Sequence, residues 1–92
     1  MKRDCSGYHF YEVEATDDSK SLDTTGSPEE AFITLSGQIR YRMDGGNPTA
    51  ILGHLMFDGM SLRLTNVGQL SKFRFVRSID RPTFLSVTLE KE

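Results

Sequence analysis

Length, composition and charge set the first limits on this protein. The chain has 92 residues, 37% of them hydrophobic, which suits one small domain with a single core. Its one cysteine, Cys5, excludes an internal disulfide and a four-cysteine zinc site, and no apolar run approaches the roughly 20 residues of a membrane span. Because the N-terminus also has no apolar run, we expect the protein to fold in a reducing cytoplasm.

Charge is distributed unevenly along the chain, although the formal net charge is only -2. Residues 1–39 carry eight acidic and three basic side chains, whereas residues 40–81 carry seven basic and three acidic ones. Opposite charge on two parts of a small domain suits self-association or docking to a charged surface. Ordinary solvated charge is the simpler alternative.

The N-terminal part of the chain predicts an arm, a strand and a loop. Residues 1–7 have no periodicity and are expected to form an arm, which leaves residues 8–92 as the single domain. Residues 8–15 are aromatic and β-prone, and predict the first strand. Residues 16–28 have the Ser, Thr, Asp and Gly content of a loop, with a short strand around Leu22 as the alternative.

The clearest pattern in the chain follows at residues 33–54. Proline and two acids from Pro28 onward predict at most one helical turn before it. Alternating apolar and polar residues then predict one long strand over residues 33–43, with one buried and one wet face. The Asp-Gly-Gly-Asn-Pro segment at 44–48 predicts a loop, and residues 49–54 a return strand.

A second hairpin is predicted directly after the first. Two apolar runs, residues 52–57 and 60–64, are separated by Asp58-Gly59, which is the strongest short hairpin signal in the sequence. We expect the two runs to be neighbouring strands of one sheet.

The C-terminal third adds two more strands. Asn66-Val67-Gly68 is expected to turn the chain, and residues 72–79 and 84–90 alternate like half-buried strands. Six or seven short strands with no substantial helix predict a small antiparallel β-sandwich of the jelly-roll or Ig-like kind. The predicted core consists of Ile33, Leu35, Ile39, Tyr41, Leu62, Leu64, Phe73, Phe75, Leu85, Val87 and Leu89.

The sequence contains no recognisable catalytic or metal-binding pattern. His9 and His54 lie far apart with no further ligands at metal spacing. Cys5 lies beside Ser6 in an unpatterned arm, whereas a catalytic thiol needs an orienting base and a rigid position. Asp44 and Asn47 offer two side-chain oxygens to a loop where calcium requires six to eight ligands. We therefore expect no enzymatic activity, no cofactor and no metal.

Binding to nucleic acid or glycan receives little support. Arg40, Arg42, Lys72 and Arg74 face outward with Phe84 on predicted strands, a pattern that single-stranded nucleic acid binders use. The pI near 5.6 and the acidic N-terminal third argue against such a partner. Glycan sites usually carry several exposed aromatic rings, and this chain has no tryptophan.

Several segments together resemble a class of small bacteriophage virion proteins. These proteins share the pattern R-[YF]-R-x-D-G-x-x-P-T-A-x-x-G, an F-R-x-[IV]-R segment and a final L-x-V-T strand. The resemblance covers roughly two-thirds of the chain and leaves out the acidic N-terminal third. The matching residues are Arg40-Tyr41-Arg42, Asp44-Gly45, Pro48-Thr49-Ala50, Gly53-His54, Phe73-Arg74, Val76-Arg77, Leu85, Val87 and Thr88.

The resemblance implies a non-enzymatic virion component, either a capsid decoration protein or a neck or tail accessory protein. Such a protein assembles in the host cytoplasm, resides in the virion and leaves by lysis, which would explain the lack of cysteine pairs and of a signal peptide. Its implied partners are other phage structural proteins, such as a major capsid or tail protein, and further copies in a homo-oligomer. A glycan- or receptor-binding module at a tail tip and a regulator that binds a host protein are the alternatives.

The outward arginines and the loop are the predicted contact surface. Arginine forms bidentate pairs with carboxylates, so Arg40 and Arg42 are expected to meet acidic residues of a neighbouring subunit, with the acidic N-terminal region of an adjacent copy as one candidate. The alternative is that these arginines brace the hairpin beside a turn aspartate. The candidate interface residues are Arg40, Arg42, Asp44, Asn47, Pro48, His54 and Arg74.

Overall fold

Eight strands and one short helix make up residues 5–92, the part of the chain that the computed structural model describes. The strands pair antiparallel throughout, in two sheets of four strands. The prediction of a small antiparallel all-β sandwich is therefore confirmed. The elements are β1 (Ser6–Glu14), β2 (Lys20–Ser21), β3 (Glu30–Ser36), β4 (Ile39–Arg42), β5 (His54–Met56), β6 (Ser61–Leu64), α1 (Val67–Lys72), β7 (Arg74–Arg77) and β8 (Phe84–Lys91).

The two sheets share one hydrophobic core. One sheet has the order β1-β8-β3-β6 and the other β2-β7-β4-β5. Nine of the eleven predicted core residues are buried, and the other two, Tyr41 and Leu62, pack partly buried against them. Residues that the alternation left out of that set also belong to the core: Ala15, Leu22, Ala31, Met56 and Leu70.

The predicted long strand over residues 33–43 is wrong, because the chain changes sheets at Gly37. Gly37 has φ 113° and separates β3 from β4, which lie in different sheets. A Cβ on Gly37 would lie 2.3 Å from the hydroxyl oxygen of Thr83, so only glycine fits this crossing. The alternation continues across the break because Ile33 and Ile39 face the same core from opposite sheets. This crossing also raises the strand number to eight.

The turn at Asp58-Gly59 exists, but the strands beside it do not form a hairpin. β5 pairs with β4, whereas β6 pairs with β3 in the other sheet. The Gly59 amide donates to the Leu35 carbonyl, and the Leu35 amide donates to Met60. The Asp58 carboxylate accepts a bond from the Gly37 amide at 3.2 Å. The turn is therefore fixed against β3, and it carries the chain from one sheet to the other.

Helix α1 replaces part of a predicted turn and strand. Asn66 caps it, because the Asn66 side chain accepts a hydrogen bond from the Gln69 amide at 2.8 Å. Leu70, which is only 2% exposed, fixes the helix to the core, and β7 begins two residues later than predicted. No described helix is both long and apolar enough to cross a membrane.

The N-terminal expectations are modified in three places. Residues 1–4 of the predicted arm lie outside the described residues, whereas Ser6 and Gly7 already belong to β1. The alternative of a short strand near Leu22 is realised by β2. The helical turn allowed after Pro28 does not form, since Ser27 has φ 56° and the Glu29 amide donates to Glu90 of β8.

Candidate functional site

The connection between β4 and β5 forms the candidate site, which we call the β4–β5 loop (residues 43–53). β4 and β5 pair with Tyr41 opposite His54, so the predicted loop and a return strand are present. The return strand begins at His54, however, and not at residue 49. Residues 49–52 instead form a tight turn of their own within the loop.

Arg40 holds the far side of this loop. Its Nε donates to the Ala50 carbonyl at 3.1 Å and its Nη1 to the Gly53 carbonyl at 2.9 Å. Arg40 lies opposite Val76 on the outward face of its sheet, yet Val76 is only 2% exposed. The loop therefore folds back across this face and shields Val76 from solvent.

Arg42 holds the near side of the loop. Its guanidinium donates through Nε and Nη2 to both carboxylate oxygens of Asp44, and the Gly46 amide donates to the same carboxylate at 3.0 Å. These bonds, led by that from Arg42, lower the pKa of Asp44 from 3.8 to about 2. The same pair raises the pKa of Arg42. A Cβ on Gly46 would lie 2.6 Å from the guanidinium carbon, so the loop backbone lies directly against Arg42.

Further contacts complete the frame of the loop. The Gly45 amide donates to the Lys72 carbonyl at 3.2 Å, which joins the loop to the end of α1. Pro48 is buried, and Gly53 has φ 133°, where a Cβ would lie a tight 3.0 Å from the Tyr41 carbonyl oxygen and 3.2 Å from the Pro48 Cβ. The loop is thus fixed at both ends and in its middle.

The tip of the loop presents two aliphatic side chains. Thr49 and Leu52 exchange backbone hydrogen bonds at 2.9 and 3.2 Å, which closes a two-residue turn around Ala50 and Ile51. Ile51 is 88% exposed and Leu52 is 54% exposed. We call Ile51 and Leu52 the aliphatic tip. Sequence analysis missed the tip because it assigned these residues to a strand.

The other predicted site residues lie around the base of the loop. Asn47 and His54 are exposed, and the His54 ring lies 5.4 Å from that of Tyr41. Arg74 lies directly opposite Arg42 across β4 and β7, and it has no ion pair with any described residue. The structure therefore brings together the seven predicted residues, with Arg40, Arg42, Asp44 and Pro48 building the loop.

The unequal charge along the sequence is partly balanced within the fold. Arg77 pairs with Asp17 at 3.1 Å, and Arg63 bridges Glu30 and Glu90 on the outer face of its sheet. Bases from residues 40–81 thus meet acids from residues 1–39 and from the C-terminal end of the chain. Within residues 5–92 no group of three or more side chains has the composition of a metal site.

Comparisons with protein-family models, with curated proteins and with solved structures found no match to this chain.

Proposed function

We propose that this protein is a non-enzymatic structural component of a bacteriophage virion, a capsid decoration protein or a neck or tail accessory protein. It acts through contacts with other virion proteins, and it assembles in the host cytoplasm. The sequence pattern from Arg40 to Gly53 supports the proposal, because it resembles small virion proteins over the same residues that build the β4–β5 loop.

The exposed aliphatic tip is the observation that carries the proposed mode of action. Two adjacent aliphatic side chains, Ile51 and Leu52, protrude from a loop that arginine side chains and backbone bonds already hold. Burial of each against a neighbour stabilises the contact by about 1.5–3 kcal/mol, and a fixed loop loses little conformational entropy on binding. Repeated over many copies on a symmetric particle, weak contacts of this kind become a firm attachment.

In this mechanism Arg40 and Arg42 do not bind the partner directly, in contrast to the prediction from the sequence. Arg40 and Arg42 use two donors each on their own loop, so they set the shape of the contact surface. Arg74, beside Arg42 and unpaired within the described residues, is the arginine that remains available to an acidic partner. The neighbour that fits this surface has an apolar pocket with carboxylates at its rim.

A census of particles tests the proposed location. Phage particles that encode this chain are purified on a density gradient, and their proteins are quantified by mass spectrometry. We expect a copy number that matches a symmetry of the head, neck or tail. Absence from the particle, with abundant protein in the infected cell, would overturn the proposal and favour a regulator of the host.

A pair of variants tests the tip itself. Ile51→Asp together with Leu52→Asp is expected to abolish incorporation into the particle while the isolated domain folds normally. Val67→Asp is the matched control, since Val67 is 62% exposed on α1 outside the loop. Equal incorporation of both proteins would remove the tip from the mechanism. Saturable binding of the isolated domain to one sugar class on a glycan array would instead favour the tail-tip receptor function.

A further inference from the structure

β1 is the outermost strand of its sheet. β8 lies on one side of it, and no other strand from residues 5–92 lies on the other. The Ala15 amide donates to the Thr83 carbonyl at 2.9 Å, one step beyond the pairing of Glu14 with Phe84. In an antiparallel ladder every second residue bonds to the neighbour, so Val13 and Tyr11 bond to β8 in the same way as Ala15.

The backbone groups of the alternate residues therefore point to the free edge. These residues are Phe10, Glu12 and Glu14. The Glu14 carbonyl accepts a bond from the Lys20 ammonium at 2.9 Å, which agrees with this direction and closes that end of the edge. The amide and carbonyl groups of Phe10 and Glu12 have no backbone or side-chain partner among the described residues.

We propose that β1 pairs with β1 of a second copy of this chain, antiparallel about a two-fold axis at Tyr11. In this register Phe10 lies opposite Glu12 of the second copy, and Glu12 lies opposite its Phe10. Each of these two pairs exchanges an amide and a carbonyl bond in both directions. The pairing therefore satisfies every free backbone group of the two residues, in both copies, and requires no change of the fold.

Charge excludes two of the neighbouring registers. An axis at Glu12 would place glutamates opposite each other, and an axis at Val13 would place Glu12 opposite Glu14. Like charges directly opposite each other destabilise strand pairs. With the axis at Tyr11, Glu14 instead lies opposite Tyr8 of the second copy, so no two acidic residues of β1 lie opposite each other.

The pairing also covers exposed apolar surface. Phe10 is 61% exposed on the outward face of β1, and the new neighbour lies directly beside it. The dimer has one continuous sheet in which two four-stranded sheets are joined through β1. The β4–β5 loop belongs to the other sheet, so this dimer leaves the aliphatic tip free. The inference uses a different surface from the proposed virion contact and holds independently of it.

Proline at position 12 provides the sharpest variant. Proline removes the amide, and on a free edge that loss leaves the ladder with β8 intact. Glu12→Pro is therefore expected to be monomeric, whereas the matched control Glu12→Gln, which keeps the amide, is expected to dimerise like the unaltered protein. Sedimentation equilibrium measures the mass, with 10.4 kDa for the monomer. A monomeric unaltered protein at concentrations up to about 1 mM, or a dimeric Glu12→Pro, would overturn the proposal.

Amide exchange of the unaltered protein decides the case even if Glu12→Pro does not fold. We expect the Phe10 and Glu12 amides to be protected at high concentration and to exchange rapidly on dilution. The Val13 amide, which bonds to β8, is expected to be protected at both concentrations. Rapid exchange at Phe10 and Glu12 in a dimeric sample would place the interface elsewhere. Neither measurement uses the double variant of Ile51 and Leu52 or its incorporation into particles, so the two proposals fail separately.

Discussion

Arg42 and Asp44 form a two-pronged ion pair inside the candidate site, with Arg42 Nε 3.0 Å from Asp44 Oδ1. Asp44 is the second residue of the loop, and its carboxylate also accepts a hydrogen bond from the Gly46 amide. One side chain therefore joins a strand to the loop that follows it. Because the pair is open to solvent, we expect its contribution to appear in loop order more than in global stability.

Removal of the Asp44 carboxylate is expected to loosen the loop. Asp44→Ala loses both the Arg42 pair and the acceptor for Gly46, so the Gly46 amide should exchange faster and the loop should become mobile in NMR relaxation. Asp44→Asn keeps an acceptor for Gly46 and is expected to show a smaller effect. Asp18→Ala, which changes an exposed aspartate elsewhere by the same atoms, serves as the control. An unchanged Gly46 exchange rate in Asp44→Ala would show that the loop stays ordered without the Asp44 carboxylate, through contacts such as those of Arg40.

Acid is expected to open the same contact near pH 2. The pKa of Asp44 is lowered in the fold from 3.8 to about 2, first by the bond from Arg42. A lowered folded pKa means that the stabilisation is present above 3.8 and is lost as the pH falls toward 2. Carbon NMR of the Asp44 carboxyl group measures the midpoint. Arg42→Lys cannot form the two-pronged pair, so its midpoint should move back toward 3.8.

Gly37→Ala is expected to destabilise the fold strongly. Gly37 combines φ 113° with a Cβ position 2.3 Å from the Thr83 hydroxyl, and the site is buried. Backbone strain and the clash together predict a loss of about 3 kcal/mol or more in the free energy of unfolding. Gly59→Ala is the matched control, since φ is 83° but no atom lies within 4 Å. Its loss should be about 1 kcal/mol, from strain alone. Equal losses in urea unfolding would contradict the assigned role of Thr83.

Gly37 also shows why part of the fold could not be predicted from the sequence. Alternation records which side of the chain is buried, and it correctly assigned Ile33, Leu35 and Ile39 to the core. It does not record which sheet a strand joins, because both sheets of a sandwich bury residues against the same core. The alternation pattern therefore could not predict the sheet change at Gly37 or the change of strand partners after Asp58-Gly59.

The candidate site was predictable in part for a related reason. Arg40, Arg42 and Asp44 flank a Gly-rich turn in the sequence, so a bracing role was one of two interpretations, and the hydrogen bonds agree with it. The aliphatic tip was missed because Ile51 and Leu52 look like strand residues. Thr49 and Gly53 on either side were the signal for a turn, but hydrophobicity outweighed it.

Leu70→Ala is expected to cost about 2–4 kcal/mol in the free energy of unfolding, because Leu70 is 2% exposed in the core. Val67→Ala on the same helix should change stability by less than about 0.5 kcal/mol, since Val67 is 62% exposed. Equal effects of the two variants in urea unfolding would contradict the burial of Leu70 in the core.

Helix α1 was missed because six residues with Val, Gly and Ser have weak helix propensity. Asn66 followed three residues later by Gln69 was the capping signal that could have found it.

Alkaline pH is expected to weaken the contact between β1 and the segment beside it. The Tyr11 hydroxyl donates to the Asp23 carbonyl at 3.1 Å and accepts from the Asp23 amide at 3.0 Å. Burial is the main cause that raises the pKa of Tyr11 from 10.0 to about 12. A raised pKa in the fold means that the stabilisation of the protonated form is complete below pH 10 and is lost as the pH rises toward 12.

Tyr11→Phe should therefore lose about 1 kcal/mol at neutral pH, through its hydrogen bonds, but should lack the extra alkaline loss over that range. Tyr41→Phe keeps Tyr11 and is expected to retain the alkaline loss, which makes it the matched control. Urea unfolding between pH 8 and 12 measures both effects. If Tyr11→Phe lost stability with pH as steeply as the unaltered protein, the alkaline sensitivity would belong to another group.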